Sequence, residues 1–250
     1  MRRRGRAIFF GLLKVAVIGG AFASIAYPVN EYLKNSPRYL VQHIAVEGAN
    51  LIPPQDVVDA SGITSGDNLM SVDTAAVTDR VMRIQYIHTC AVRREYPDRI
   101  IIKISERHPN AMLLVDNNAW EIDDECVVLG GLNPLEAYEG PTITNLPDVT
   151  KANMEVGKRV DSAALLAALE VWKAFSTVPM SQTVELSEIS APSPDQISMI
   201  LDGVGFEIIW GRSKFLTQAR RLNTLWQKQG GRLPCRQSLS LQFDEDLVCR

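Results

Sequence analysis

Residues 7–27 read AIFFGLLKVAVIGGAFASIAY, 21 residues whose only charge is Lys14. Wound as an α-helix, at about 1.5 Å per residue, this stretch is about 31 Å long, matching a bilayer hydrocarbon core of about 30 Å. Lys14 opposes insertion by about 2.5–3.5 kcal/mol at the bilayer centre, but close to the basic end its long side chain can snorkel towards the headgroups. Arg2, Arg3, Arg4 and Arg6 precede the stretch and Tyr27 closes it. These features place the basic end in the cytoplasm and an aromatic residue at the far interface. The expectation is a cytoplasmic tip over 1–6, a transmembrane helix over 7–27 and an extracytoplasmic body. The competing reading is a cleaved signal peptide, because Ala21-Phe22-Ala23 has the small-x-small form of a cleavage site. That reading also exports the body, but the apolar run is longer than a usual signal core. A Gly19-Gly20 pair fits ordinary transmembrane composition as well as close helix packing.

The charge is unevenly spread. Of 26 Lys and Arg, five precede the first acid, Glu31, leaving 21 against 29 Asp and Glu, or −8, for the remainder. An acidic body with 46% apolar residues is neither disordered nor a multi-span membrane protein, and it is a poor nucleic-acid binder. Cys90, Cys126, Cys235 and Cys249 have no C-x-x-C spacing and no histidine pair nearby, so they resemble no metal site. In an exported body they can form two bridges, one or none. If Phe243 and Leu247 flank the last turn, Cys249 lies opposite about Leu241, which argues against a Cys235–Cys249 bridge.

After a linker over 28–38, residues Tyr39 to Glu47 read as a strand, broken at Gly48-Ala49-Asn50. Pro53-Pro54 opens a helix with Val57 and Val58 as its apolar stripe and Gly62 as its stop. A loop from Thr64 to Ser71 leads to Asp73, the N-cap of a helix to about Arg83 bearing Ala76, Val77, Val81 and Met82. Ile87 to Glu95 and Arg99 to Arg107 read as strands around a turn at Tyr96-Pro97-Asp98, with Ile100, Ile102 and Ile104 on one face. Pro109 ends the second strand.

The order strand, helix, helix, strand, strand forms one small core. Its residues Val41 to Asn50 (VQHIAVEGAN), Gly66-Asp67-Asn68-Leu69, Arg93 to Pro97 (RREYP) and Glu106-Arg107-His108-Pro109 resemble, in order and spacing, the POTRA domain of the FtsQ/DivIB family. The expected POTRA domain spans residues 39–108 and a second domain 109–250.

In that second domain strands are expected at Ala111 to Val115, Ala119 to Ile122 and Cys126 to Leu129. Asp123-Asp124-Glu125 reads as a solvated acidic turn. A helix follows at Ser162 to Phe175, then strands at Thr183 to Ser190, Ile197 to Leu201 and Phe206 to Trp210. A basic helix, Lys214 to Lys228, precedes strands at Ser238 to Phe243 and Leu247 to Arg250 around Asp244-Glu245-Asp246. Trp120 to Val128, Leu146-Pro147, Gly211 with Arg221-Leu222 and Leu225, and Ser240 to Phe243 are similar to the carboxy-terminal β domain of the FtsQ family. The fold class is therefore α+β, with one transmembrane helix, a POTRA domain and a mixed antiparallel β domain with flanking helices.

Chemistry is scarce. His43, His88 and His108 belong to no nucleophile or ligand set, and no G-x-S-x-G, H-E-x-x-H or P-loop occurs. Three consecutive acids at Asp123 are not spaced as a calcium loop. No enzyme activity, cofactor, metal or small-molecule substrate is expected. An exposed last strand, by contrast, offers unpaired backbone groups to an added strand, unless Leu247 to Arg250 merely pairs back on Phe243. The family resemblance implies a bitopic inner-membrane scaffold of the division septum that binds FtsB/DivIC-like and FtsL-like coiled-coil proteins through its β domain. It carries partner binding onto Gln242, Phe243, Leu247, Val248 and Cys249, with Arg220 and Arg221 on the neighbouring helix. Two rivals are an outer-membrane transport protein, for which too little chain remains to build a barrel, and a secreted envelope enzyme.

Overall fold

The computed structural model describes residues 28, 31–132, 140–243 and 246–250. The expected tip and membrane span, 1–27, lie outside the described residues, as do Asp244 and Glu245 of the expected last turn. Among the described residues no helix is long and apolar enough to cross a membrane. The chain divides into two units, one ending at Glu106 and the other starting at Arg107.

In the first unit, β1 (His43–Glu47), α1 (Pro54–Ser61), α2 (Thr74–Val81), β2 (Ile87–Glu95) and β3 (Arg99–Glu106) follow one another. The sheet order is β1-β3-β2, with β3 parallel to β1 and antiparallel to β2. Side chains alternate along a strand, so Ile100, Ile102 and Ile104 share one face of β3 and are buried with Val57, Val77, Val81 and Leu69. Ile101, on the other face, is also buried, opposite Ala45 and Arg93.

The first strand is shorter than the expected Tyr39 to Glu47. Pro37–Tyr39 form a 3-10 turn, and the next residues bond to a loop. Val41 N–H donates to Asp67 O at 2.8 Å, Gly66 N–H to Val41 O at 2.9 Å and Leu69 N–H to Tyr39 O at 2.7 Å. Gly66, at φ +99°, gives that loop a turn that a side chain would strain. The Gly-Asp-Asn-Leu motif is thus the partner of the VQHIAVEGAN segment.

Both helices are bounded by local chemistry. The Asp73 carboxylate accepts the N–H groups of Ala75 (3.0 Å) and Ala76 (3.2 Å), and Gly62 closes α1 at φ +65°. α2 ends at Val81, so Met82, expected on its apolar stripe, is 40% exposed. Replacing Asp73 by alanine should cost about 1 kcal/mol, measured by urea unfolding; a change within about 0.3 kcal/mol would show that the cap contributes nothing.

The end of β3 closes on the loop after β1. The Glu106 carboxylate accepts the N–H groups of Asn50, Leu51 and Ile52, each at 2.9 Å. Gly48 sits at φ +87°, where a Cβ would overlap the Ile104 carbonyl oxygen. These contacts join the first and last of the FtsQ/DivIB-like motifs.

The second unit contains β4 (Ala111–Val115), β5 (Asn118–Ile122), β6 (Val128–Leu132), β7 (Thr142–Thr144), α3 (Ala163–Ser176), β8 (Leu186–Ser193), β9 (Gln196–Leu201), β10 (Glu207–Trp210), α4 (Phe215–Lys228), β11 (Ser238–Ser240) and β12 (Val248–Cys249). They form one mixed sheet in the order β12-β11-β10-β9-β8-β7-β4-β5-β6. The β4/β7, β7/β8 and β10/β11 pairs are parallel. α3, capped by the Ser162 hydroxyl on Leu165 N–H at 3.1 Å, packs on β8 and against α4. Phe175, Leu165, Ile189, Trp210 and Leu239 are fully buried between these layers.

Three expectations change here. β7, a Thr-Ile-Thr segment in a polar stretch, was not expected as a strand; it bridges β4 and β8, burying Ile143. β6 starts at Val128 rather than Cys126, because Cys126 turns at φ +65°. The acidic turn is not solvated throughout: Asp123 is only 2% exposed. Its carboxylate pairs with the Arg107 guanidinium and accepts the N–H groups of Glu125 (2.9 Å) and Val127 (2.8 Å). Burial disfavours the Arg107 charge, but the hydrogen bonds and charges of Glu125 and Asp123 outweigh it and raise its pKa.

Candidate partner-docking edge

α4 presents two faces. Gln218, Ala219 and Leu222 are buried, while Arg220 and Lys228 are exposed. Phe215, at its start, meets the buried Trp210 edge-on with ring centroids 6.4 Å apart. Gln218 ties the helix to the preceding turn, its Oε1 accepting Gly211 N–H at 2.8 Å and its Nε2 donating to Ser213 O at 2.6 Å. A Cβ on Gly211 would lie 2.7 Å from Gln218 Nε2 and 3.3 Å from Gln242 Cα, so a side chain there would push the Gln218 amide out of its place.

The strands beside α4 form one end of the sheet. β11 pairs with β10 on one side and β12 on the other; among the described residues no strand pairs with the outer edge of β12. Arg250 exchanges both backbone bonds with Ser238, at 2.9 and 3.3 Å. Because such pairs alternate in an antiparallel ladder, the N–H and C=O of Cys249 face outwards. An arriving strand has those groups to bond.

Between α4 and the end of the chain lies a groove of about 360 Å³, lined by Thr217, Arg220, Arg221, Leu225, Lys228 and Leu247. Arg221 Nη1 donates to Phe243 O at 2.6 Å, holding Phe243 against the helix. Phe243 is 53% exposed. Of the residues singled out in the sequence, Arg220, Arg221 and Leu247 therefore line one groove. Phe243 is joined to it through Arg221, and Val248 and Cys249 form the adjoining edge. Gln242 is exposed beside Phe243. Gln218, which fixes the helix to Gly211, was not singled out; a lone glutamine on an amphipathic helix carries no sequence signal.

The cysteine expectation is overturned. Cys235 and Cys249 form a disulfide, with Cα atoms 5.0 Å apart. The register explains it: Cys249 lies opposite Leu239, two residues short of the expected Leu241. The expected strand to Phe243 stops at Ser240, and Leu241 N–H donates to Ile209 O at 2.8 Å instead. Arg236, Gln237 and Ser238 then wrap around Arg250 O, bringing Cys235 within reach. Cys90 and Cys126 are free thiols. Cys126 is buried, and burial pushes its thiol up to about 11, leaving it unreactive near neutral pH.

Residues 40–107 match the FtsQ-type POTRA domain family. Over most of its length the chain is also similar to proteins named cell division protein FtsQ. It is 28% identical to that of Mycobacteroides abscessus over 209 residues, covering 83% of this chain and 62% of the relative. It is 27% identical to that of Corynebacterium glutamicum over 199 residues, 78% of this chain and 82% of the relative. The Anaeromyxobacter protein is 28% identical over 226 residues, 89% of this chain and 74% of the relative. The chain is FtsQ-like, with an FtsQ-type POTRA domain. It spans 62% and 55% of the length of the Mycobacteroides abscessus and Mycolicibacterium smegmatis relatives. The FtsQ-type POTRA domain holds the Glu106 and Gly48 contacts described above. In the rest of the FtsQ-like chain, Gly211, Arg221-Leu222 and Leu225 bring α4 against the last strands.

Proposed function

We propose that this chain is a non-enzymatic, single-span membrane scaffold of the bacterial division machinery, with its amino terminus in the cytoplasm and its body outside, at the septum. It binds FtsB/DivIC-like and FtsL-like coiled-coil membrane proteins through the β12 edge and the α4 groove, linking early and late division proteins during septal wall synthesis. It acts on no small molecule and binds no nucleic acid.

The carrying observation is the outer edge of β12, unpaired among the described residues, with a cationic groove and an exposed phenyl ring beside it. Backbone bonds from such an edge give affinity, and side-chain pockets give selectivity. Phe243 adds an exposed aromatic side chain, a residue class enriched at protein interfaces. Arg220 and Lys228 favour an acidic partner and speed its approach. The similarity to proteins named for cell division supplies the setting.

The test is co-purification from membranes of the full chain, a Phe243→Glu variant and a chain ending at Asp246. The full chain should retain small coiled-coil membrane proteins, and both altered chains should lose at least tenfold of them. The Phe243→Glu chain should keep its unfolding midpoint, since an exposed side chain contributes little to stability. Equal retention by all three removes the edge as the docking site. Retention by none removes the division assignment.

A further inference from the structure

We propose that the Cys235–Cys249 disulfide is a redox clamp on the docking edge, so that its reduction frees β12 and switches off partner binding. The inference rests on the scaffold reading above. Its grounds are the placement of the bridge and how little else holds the strand.

β12 has two residues and pairs with a strand of three. As an edge strand of two residues it has, among the described residues, a single neighbour and few ladder bonds to hold it. Besides that ladder, its noncovalent ties at the far end converge on one residue. Arg250 O accepts N–H groups from Arg236 (3.2 Å), Gln237 (2.7 Å) and Ser238 (3.3 Å), and Arg250 N–H donates to Ser238 O. All four bonds involve the segment that the disulfide pins, so opening the bridge loosens donors and acceptor together. Leu247 is only half-buried. Earlier in the chain, Leu241 is 1% exposed and bonded to Ile209. Without the bridge, the outward N–H and C=O of Cys249 have no fixed position to offer.

The bridge is also accessible to a reductant. Cys249 is exposed and Cys235 half-buried, as is the free Cys90, whereas Cys126 is fully buried. A partner reductant of the Cys-x-x-Cys dithiol class suffices chemically. Its thiolate attacks the exposed Cys249 sulfur, breaking the S–S bond, forming a mixed disulfide and releasing Cys235 as thiolate. Its second thiol then displaces Cys249. Two electrons and two protons pass to the pair, and the reductant leaves as its own disulfide.

The experiment uses the full chain in detergent, oxidised, treated with dithiothreitol, or as a Cys235→Ser/Cys249→Ser double variant. Amide hydrogen exchange of Val248 and Arg250, whose N–H groups face β11, is followed together with β8 and β9. Retention of small coiled-coil membrane proteins is read from membranes carrying the same forms. Both reduction and the double variant should speed exchange at Val248 and Arg250 at least tenfold, leave β8 and β9 unchanged and lower retention at least fivefold. Dithiothreitol should add nothing to the double variant. Unchanged exchange at Val248 and Arg250 overturns the clamp whatever the partners do, and faster exchange with undiminished retention overturns its control of docking. If the oxidised chain retains no partner while exchange responds as expected, the scaffold reading fails and takes the switch with it, although the bridge does hold the strand.

Discussion

The Asp123→Ala chain is expected to lose about 3–5 kcal/mol of stability in the unit that starts at Arg107, the cost of breaking a buried charge pair from one side. The substitution strands three groups at once. Arg107, whose side chain is 16% exposed, loses its buried partner and keeps only Glu125, whose side chain is 52% exposed. The N–H groups of Glu125 and Val127 lose their acceptor where Val127 is buried. Asp123→Asn should fall between, because an amide oxygen can still accept those two bonds while the charge is gone. Since the raised pKa of Arg107 lies above its ordinary value, its side of the pair is charged in full at every pH below that value. Only strong alkali removes its contribution. Urea unfolding followed by tryptophan fluorescence measures this directly, because all four tryptophans, 120, 172, 210 and 226, lie in that unit. A loss below about 1 kcal/mol would mean that water replaces the carboxylate at no great cost.

The Gly48→Ala chain should show a comparable loss, about 3 kcal/mol or more, confined to the POTRA domain. Two costs combine. A side chain at φ +87° costs about 1–2 kcal/mol, and the new methyl runs into the Ile104 carbonyl, a backbone atom of the central strand that cannot move without disturbing both neighbours. Gly66→Ala separates the two, since Gly66 has φ +99° and nothing within 4 Å of a built Cβ. It should show the conformational cost alone. Hydrogen exchange at Ile100, Ile102 and Ile104 reads both variants. If Gly48→Ala exchanges no faster than Gly66→Ala, close approach of backbone is not what requires glycine after β1.

The motifs that carry the family resemblance are, in the structure, mostly contact pairs rather than isolated signatures. Val41 meets Gly66 and Asp67, and Glu106 meets Asn50, Leu51 and Ile52. Their spacing was legible in one dimension, but their purpose was not. At the proposed docking edge the resemblance points to Phe243, Leu247 and the two arginines. The groove that unites Arg220, Arg221 and Leu247 exists only because Gln218 and Gly211 seat α4 beside the last strands.

Features governed by neighbours a few residues away could be read from the amino acids alone. The Asp73 cap, the Gly62 stop, the bounds of β2 and β4 and the alternation of Ile100, Ile102 and Ile104 all depend on local hydrogen bonding or side-chain period. Features decided by distant partners could not. β7 is a strand because β4 and β8 supply its bonds from either side. Asp123 is buried because Arg107 comes to meet it. Cys249 reaches Cys235 because the ladder shifts by two residues from the expected register and Leu241 bonds to Ile209 instead. Local period says which residues want to be inside. Only the folded sheet decides which strand lies next to which, and in what register, because those energies belong to pairs of segments far apart in the chain.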